Sequence, residues 1–577
     1  MPDTQRLNGA EALVEVLRNY NVEYIFSSPG SEWPPVWEHL AKQKALDQKG
    51  PQYLNTRHEN LAIGMAMGYS KVTGRLPVVL LHTTVGTLQG AMALRAAYHE
   101  QVPMLVCAGE SVGFGEGEGG YVGFQWQRFL ADRGGPARLA EPYVKWSFGV
   151  NTKVVLPGSV HRACQLAMAS PKGPVFLSIP FEYMVEEMVS TAPASYTLPT
   201  QPRADPQGLE EIARLLTESH TPVIITEYAG QQVAGVKKLV ELAELVGALV
   251  VEAQGPGFVN FPRTHPLHGG YDASPYLKEA DVIVLLAAVG PWYPPSAGPK
   301  PGTKVVLVDD NPLRADAPYW GYQADLCVVG EVVSALATLV ELVKERVVRK
   351  NAAIQQPIAR WSARNQERRK AWQEEALALK DRKPIDTRWL CYEINQVLPT
   401  DVIVVEETIT SRAAIFQQLE SLQPGGYVSG LSGGLGLGLG IALGVKCAAP
   451  DKLVVALMGD GSFNYNPVLA ALGFWQEYRM PTLTVLFNNQ GYLSMKRGVQ
   501  QLYPQGWAVK TNTFYGAAIT PRPDYAAIAR AFGGYGETVE EHGKIRPALQ
   551  RALEAVRGGQ AALVDVVLDN ENVLLPR

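Results

Sequence analysis

The sequence predicts an α/β protein of three doubly wound parallel-sheet domains, and three observations lead there. Short apolar runs alternate with helical patterns along most of the chain, as parallel strands joined by crossover helices require. Two stretches of different texture, 190–206 rich in Pro, Ser and Thr and 344–382 rich in charge, divide the chain into three blocks. The 577 residues, 46% hydrophobic and 19% charged, suit a chain with several packed cores. The expected domains are 1–190, 207–345 and 384–577.

In the first block the apolar runs at 23–26, 77–81, 103–108 and 173–179 read as strands. The second repeats the logic with PVIIT, ALVVE, ADVIVLLAA and KVVLVDD. The segment 344–382 follows no strand pattern and reads as a linker with helical turns. The third block carries DVIVVEE, DKLVVALMGD, PTLTVLFNN and AALVDVVLD. The first and third blocks also share a strand, glycine turn, small-residue helix and Pro-opened strand, with Val102-Pro103 in one and Met480-Pro481 in the other. A duplicated architecture explains that pattern, and so does the general likeness of all βαβ units.

A net charge of −4 provides no basic footprint for nucleic acid or an anionic membrane. Five scattered cysteines, never CxxC, argue against a disulfide framework or a thiolate zinc site and for a reducing, cytoplasmic setting. No basic-then-apolar leader opens the chain. The uncharged stretch 424–445 holds nine glycines, at about 1 kcal/mol each in a helix, which speaks against a membrane span.

The strongest chemical signal is Gly459-Asp460-Gly461 after the strand LVVALM, with Asn488-Asn489 ending the next strand after a gap of 26 residues. Carboxyl ends of parallel strands are where such folds bind ligands. Asp460, the Asn489 side-chain oxygen and the carbonyl near Gly491 form a hard oxygen set of low charge. That set suits Mg²⁺ with a ligand bringing its own negative charge, such as a diphosphate. Taken alone, Gly-Asp-Gly is a common turn. The run Gly115-Glu116-Gly117-Glu118-Gly119-Gly120 matches GxGxxG, but its two acids would repel a pyrophosphate. The alternating glycines from Gly434 to Gly440 fail the dinucleotide spacing, so a nicotinamide oxidoreductase is not expected.

Those residues resemble the signature of thiamine diphosphate (ThDP) enzymes, and the resemblance extends over essentially the whole chain. It implies pyrimidine-binding, central and diphosphate-binding domains in that order, with ThDP and Mg²⁺ as cofactors. Arg57-His58-Glu59 resembles the segment carrying the cofactor-activating glutamate, and Gly433-Gly434-Leu435-Gly436 the element that places a bulky residue under the cofactor. Ser28-Pro29-Gly30-Ser31, Leu81-His82-Thr83-Thr84-Val85-Gly86-Thr87 and Asp310-Asn311-Pro312-Leu313 look most like benzoylformate decarboxylase. Arg57-His58-Glu59 and Phe124-Gln125 look more like acetolactate synthase.

The resemblance implies roles residue by residue. Glu59 would bond the cofactor pyrimidine and favour the tautomer that deprotonates thiazolium C2; buried near an apolar helix, it would share a proton readily. A solvated acid in a first helical turn is its plain alternative. Thr408, Ile409, Thr410, Gly434, Leu435, Gly459, Asp460, Gly461, Ser462, Asn489, Gly491 and Tyr492 would contact the cofactor, with Asp460, Asn489 and Gly491 holding the metal. His82 resembles the first active-site histidine of the decarboxylase and could move protons near neutrality. Ser31 would bond a substrate carboxylate or cap a helix.

Two departures stand out. Tyr293 stands where the decarboxylase has its second histidine, and a phenol of pKa about 10 does not shuttle protons at neutral pH. Met495-Lys496-Arg497-Gly498 replaces a more apolar stretch; its cations face an anionic substrate or are two solvated charges. The turn Ala288-Val289-Gly290-Pro291 lacks the arginine implied by flavin-binding relatives, so FAD is the lesser expectation. The activity implied is decarboxylation of a 2-oxo acid through a C2 carbanion and an enamine. Acetolactate synthase-like carboligation or 2-hydroxy carbonyl cleavage are the alternatives. A homodimer or homotetramer with shared active sites is implied, Glu59 of one subunit meeting the diphosphate domain of another.

Overall fold

The computed structural model describes residues 6–28, 30–110, 129–189, 197–253, 255–315, 317–347, 351–430 and 433–570. Three parallel sheets dominate it, as the strand periodicity predicts. In the amino-terminal sheet the strands lie in the order Gln52–Asn55, Tyr24–Ser27, Val78–Leu81, Met104–Glu110, Pro174–Pro180 and Trp146–Gly149. The carboxyl-terminal sheet runs Tyr427–Ser429, Ile403–Glu407, Val454–Gly459, Leu483–Asn488, Ala562–Val567 and Tyr535–Val539. By chain position both orders are second, first, third, fourth, sixth, fifth. That shared permutation supports duplication over a chance likeness of βαβ units. The central sheet, Leu249–Glu252, Pro222–Thr226, Val282–Leu286, Lys304–Asp309 and Leu326–Val329, begins with the same reversal. A small antiparallel pair, Arg6–Asn8 with Glu187–Val189, stands apart from these sheets.

Strand interiors such as VVLL at 78–81 are buried at every position, because helices cover both faces of a parallel sheet. The reversal of strand order opens a crevice at the carboxyl edge of each sheet, between the first and third strands of the block.

The chain packs as two units, one comprising Met1–Thr200, Ser432–Pro450 and Asn466–Met480, the other Gln201–Leu431, Asp451–Tyr465 and Pro481–Arg577. Within the first unit, helix Gly438–Ala448 lies against helix Glu59–Thr73, and both are buried nearly all round. Small residues let the backbones approach: a Cβ on Gly64 would stand 3.2 Å from the Cα of Gly440. The glycine-rich stretch 424–445 thus supplies a strand and this packed helix. Among the described residues no helix is long and apolar enough to cross a membrane.

The charged stretch expected to be a linker is largely one 28-residue helix, Asn351–Ala378. Several of its charges are partnered: Arg364 pairs with Glu279, Arg369 with Glu420, and Arg368 donates to the carbonyls of His268 and Gly269. Trp361 is fully buried in the central core. Arg, Gln, Glu and Ala are strong helix formers, and an absent strand pattern says nothing against a helix anchored this way.

Candidate active site

In the amino-terminal sheet the crevice lies between Tyr24–Ser27 and Val78–Leu81, and the loops leaving these strands carry the first cluster. Trp33 Nε1 donates to the Leu81 carbonyl at 2.8 Å, tying one loop to the other strand. Between them sits Glu32, fully buried, accepting a bond from His82 Nδ1 at 2.8 Å. A carboxylate only accepts, so Nδ1 carries the hydrogen and Nε2 is the nitrogen left to act. Ser31 Oγ donates to the other Glu32 oxygen at 3.2 Å. The bond to Glu32 raises the pKa of His82, outweighing burial, which pulls it down.

Glu59 opens its helix, with His58 as the cap whose Nδ1 accepts from the Asn60 amide at 3.1 Å. Gly86 lets Glu59 and His82 converge: a Cβ there would stand 3.1 Å from Glu59 Oε1 and 2.9 Å from His82 Cβ. Asn60 Nδ2 donates to the Gly436 carbonyl at 2.7 Å, and Gly434 abuts Met92, so half-buried Leu435 belongs to this neighbourhood. Ser31, His82, Glu59, Gly434 and Leu435 therefore share one region. Ser31 caps no helix; the next one begins at Pro34 behind Trp33, which makes no side-chain cap bond. Glu32 is one of the residues that sequence reasoning missed. Its signal was its place after Pro29-Gly30-Ser31, where the side chain of a sharp turn is fixed.

The second cluster lies on the carboxyl edge of the third sheet. Gly459 pairs with Phe487, so Asp460 and Asn488-Asn489 leave adjacent strand ends. Asp460 is 1% exposed and opens helix Asp460–Tyr465. Its Oδ2 accepts from the Gly491 amide at 3.0 Å, which Gln490 aims by taking a positive φ of 56°. Burial pushes the Asp460 carboxyl up to about 7 despite its backbone bonds. Asn489 Oδ1 is buried and, among the described residues, has no hydrogen-bond partner. A buried carboxylate disfavoured by its surroundings and an orphaned amide oxygen are what a bound cation would relieve. An oxygen set of this kind fits a hard divalent ion, which Asp460 and Asn489 would help to hold. Ser462 is buried, and Gly461 leaves room for Tyr492, whose ring would stand 2.8 Å from a Cβ there.

Glu407 pairs with Met458, which sets Thr408 beside the Gly459 strand end. Thr408 is buried, Ile409 is half exposed and Thr410 intermediate. Beneath them Glu406 was not foreseen. Fully buried, it accepts from Thr408, from Arg412 Nε at 2.8 Å, and from the hydroxyls of Tyr427 and Ser429 at 3.1 Å. It stiffens the turn that presents Thr408, Ile409 and Thr410. Asp565, pushed up to about 6 by burial, anchors Asn488 Nδ2 at 2.9 Å.

Tyr293 sits in the loop after the central strand Val282–Leu286 and is 78% exposed. Beside that loop Glu227, also unforeseen, accepts from the Gly290 amide at 2.7 Å, and burial pushes its carboxyl up to about 7. Lys496 lies over the Phe514 ring at 5.3 Å. Arg497 is not the solvated charge of the plain reading: both of its terminal nitrogens are buried. The Gly115–Gly120 run and Phe124-Gln125 lie outside the described residues.

Comparison with known proteins matches three models in order. Residues 7–117 match the thiamine pyrophosphate enzyme N-terminal TPP binding domain, 209–339 the central domain and 410–566 the C-terminal TPP binding domain. Benzoylformate decarboxylase of Pseudomonas aeruginosa is 27% identical, covering 95% of this chain and 96% of that protein. Acetolactate synthase isozyme 3 large subunit of Escherichia coli K12 is also 27% identical, covering 99% and 96%. Sulfoacetaldehyde acetyltransferase of Castellaniella defragrans is 26% identical, covering 96% and 91%. The crystal structure of benzoylformate decarboxylase from Polynucleobacter necessarius shares the fold with a TM-score of 0.80 at 22% identity, covering 98% of this chain and 100% of that one.

Proposed function

The chain belongs to the thiamine pyrophosphate enzymes of the decarboxylase and acetolactate synthase family, and from that premise we propose that it decarboxylates a 2-oxo acid with ThDP and Mg²⁺. The observation that carries the cofactor reading is the buried Asp460 beside the unpartnered Asn489 oxygen. Asp460, Asn489 and the Gly491 carbonyl hold the metal in this reading, and Gly459, Gly461, Ser462 and Tyr492 shape the diphosphate's seat. Thr408, Ile409 and Thr410, presented by the Glu406 turn, contact the cofactor, as do Gly434 and Leu435. Bound there, ThDP would supply a carbon nucleophile and an electron sink for the pair released with CO₂.

The protein's own groups do the rest. Glu59 bonds the pyrimidine and takes or returns a proton at its carboxyl. His82, with Glu32 holding Nδ1–H, offers Nε2 to receive or deliver a proton at the reacting carbon. Ser31 donates its hydroxyl hydrogen bond to the substrate carboxylate. Tyr293 contributes a hydroxyl donor. The domains of 1–190, 207–345 and 384–577 serve as pyrimidine-binding, central and diphosphate-binding parts. In an assembly of two or four copies, Glu59 of one copy serves the cofactor held by another.

Decarboxylation to an aldehyde is favoured over carboligation by the His82–Glu32 pair, since a proton delivered to the reacting carbon keeps that carbon from attacking a second carbonyl. The test is incubation of the loaded enzyme with pyruvate, benzoylformate and longer 2-oxo acids, with products identified by mass spectrometry. A free aldehyde is expected. Hydroxyketone products would replace decarboxylase with carboligase, and turnover in a monomer by sedimentation would remove the shared site.

A further inference from the structure

Arg497 lies one turn into helix Leu493–Leu502, which follows directly from the Asn489–Gly491 loop. Leu493, four residues earlier and on the same helical face, is buried. Both terminal nitrogens of Arg497 are buried and, among the described residues, have no hydrogen-bond partner. The residue is nevertheless only partly buried, so what it exposes lies on its other atoms. This inverts the usual arrangement, in which arginine buries its stem and gives its charged head to water. Burial lowers the Arg497 pKa, and among the described residues no carboxylate compensates. A guanidinium does not deprotonate to escape such a place. A buried cation without a counter-ion is strongly destabilising, and its planar fork matches a carboxylate in two bonds. Beside it Gly498 faces open space, where a Cβ would touch nothing within 4 Å. Lys496 is engaged with the Phe514 ring and leaves Arg497 as the available fork.

We propose that Arg497 binds a second acidic group on the substrate, so that the 2-oxo acid this enzyme prefers is a dicarboxylate whose distal carboxylate pairs with the guanidinium. The inference rests on the decarboxylase reading and names the substrate class of that site. Arg497 touches the far end of the substrate and sets specificity without moving protons.

The test compares matched acids on the ThDP- and Mg²⁺-loaded enzyme, 2-oxoglutarate against 2-oxopentanoate and 2-oxoadipate against 2-oxohexanoate. A charge-assisted pair predicts kcat/KM about 10- to 100-fold higher for the dicarboxylate of each pair. In Arg497→Met that ratio falls toward one, chiefly through KM, and Arg497→Lys recovers part of it. Calorimetry with glutarate, which lacks the keto group, reads the anion site without turnover. Glutarate binding that Arg497→Met abolishes, with no CO₂ from any 2-oxo acid, would keep the anion site and discard the decarboxylase reading. Turnover without preference for the dicarboxylates would overturn the proposal and leave that reading standing. A fall in ThDP affinity in Arg497→Met with the substrate ratio intact would also overturn it, by giving the guanidinium to the cofactor.

Discussion

Replacing Glu32 by Gln keeps the shape of the buried side chain and removes its charge, which isolates what that charge does to His82. The bond is 2.8 Å long, the Glu32 side chain is fully buried, and that of His82 is 21% exposed. Water screens this pair little, so the charged bond is worth roughly 1.5–3 kcal/mol more for the imidazolium than for the neutral ring. At 1.36 kcal/mol per pH unit, the His82 pKa in Glu32→Gln falls by about one to two units. Burial already pulls it down and acts alone once the charge is gone. The assay is the pH dependence of kcat/KM, with the limb due to His82 identified by its absence in His82→Asn. That limb moves to lower pH in Glu32→Gln. Stability follows the same titration. A histidine with a raised pKa in the folded state contributes stability fully present below about pH 6.5 and lost as the pH rises through the folded-state value. Glu32→Gln therefore lowers the melting temperature more at pH 5.5 than at pH 9. An unmoved limb, or a larger loss at pH 9, would refute the assignment of Glu32 as the group that tunes His82.

Four further outcomes are expected. Glu59→Gln retains ThDP by fluorescence titration but loses at least about a hundredfold in rate, the scale of one acid–base contribution; near-normal turnover would remove Glu59 from its role. Chelation with EDTA releases ThDP from the wild type on gel filtration, and Asp460→Ala fails to retain ThDP even in excess Mg²⁺, provided Asp460 is a metal donor. Glu227, raised from 4.5 to about 7 by burial, ionises more readily in the unfolded chain. It therefore costs stability that is lost progressively between about pH 4.5 and 7, of order 3 kcal/mol. Glu227→Gln flattens that fall in urea titrations, and an unchanged slope would show that the group titrates normally. Gly68→Ala drives its new methyl into the carbonyl of Ile441 and destabilises by about 1–3 kcal/mol; a neutral result would mean the two helices part without cost.

Much of this protein was legible in its residue order. Strand positions followed from apolar runs, because a strand covered on both faces must be apolar throughout. The Asp460 and Asn489 positions followed from strand-end glycines and asparagines at a fixed spacing, since ligand chemistry at a sheet edge needs those residue types where the backbone turns. Glu59 and His82 were visible as a helix start and a strand end. The long helix Asn351–Ala378 was not, because its buried and paired residues meet partners far along the chain, Glu279 and Glu420 among them.

What tertiary structure alone decided are the pairings. Glu32 reads as one more surface acid until the crevice between two strands buries it against His82. Glu406 and Glu227 are strand-end acids whose properties come from burial, which local sequence does not encode. Arg497 looks like half of a solvated Lys-Arg pair, and its orphaned nitrogens exist only because the fold closes over them. Residue types and spacing determine which chemistry is available. Removal from water, which depends on contacts distant in sequence, determines which of those groups are charged, oriented and left seeking a partner.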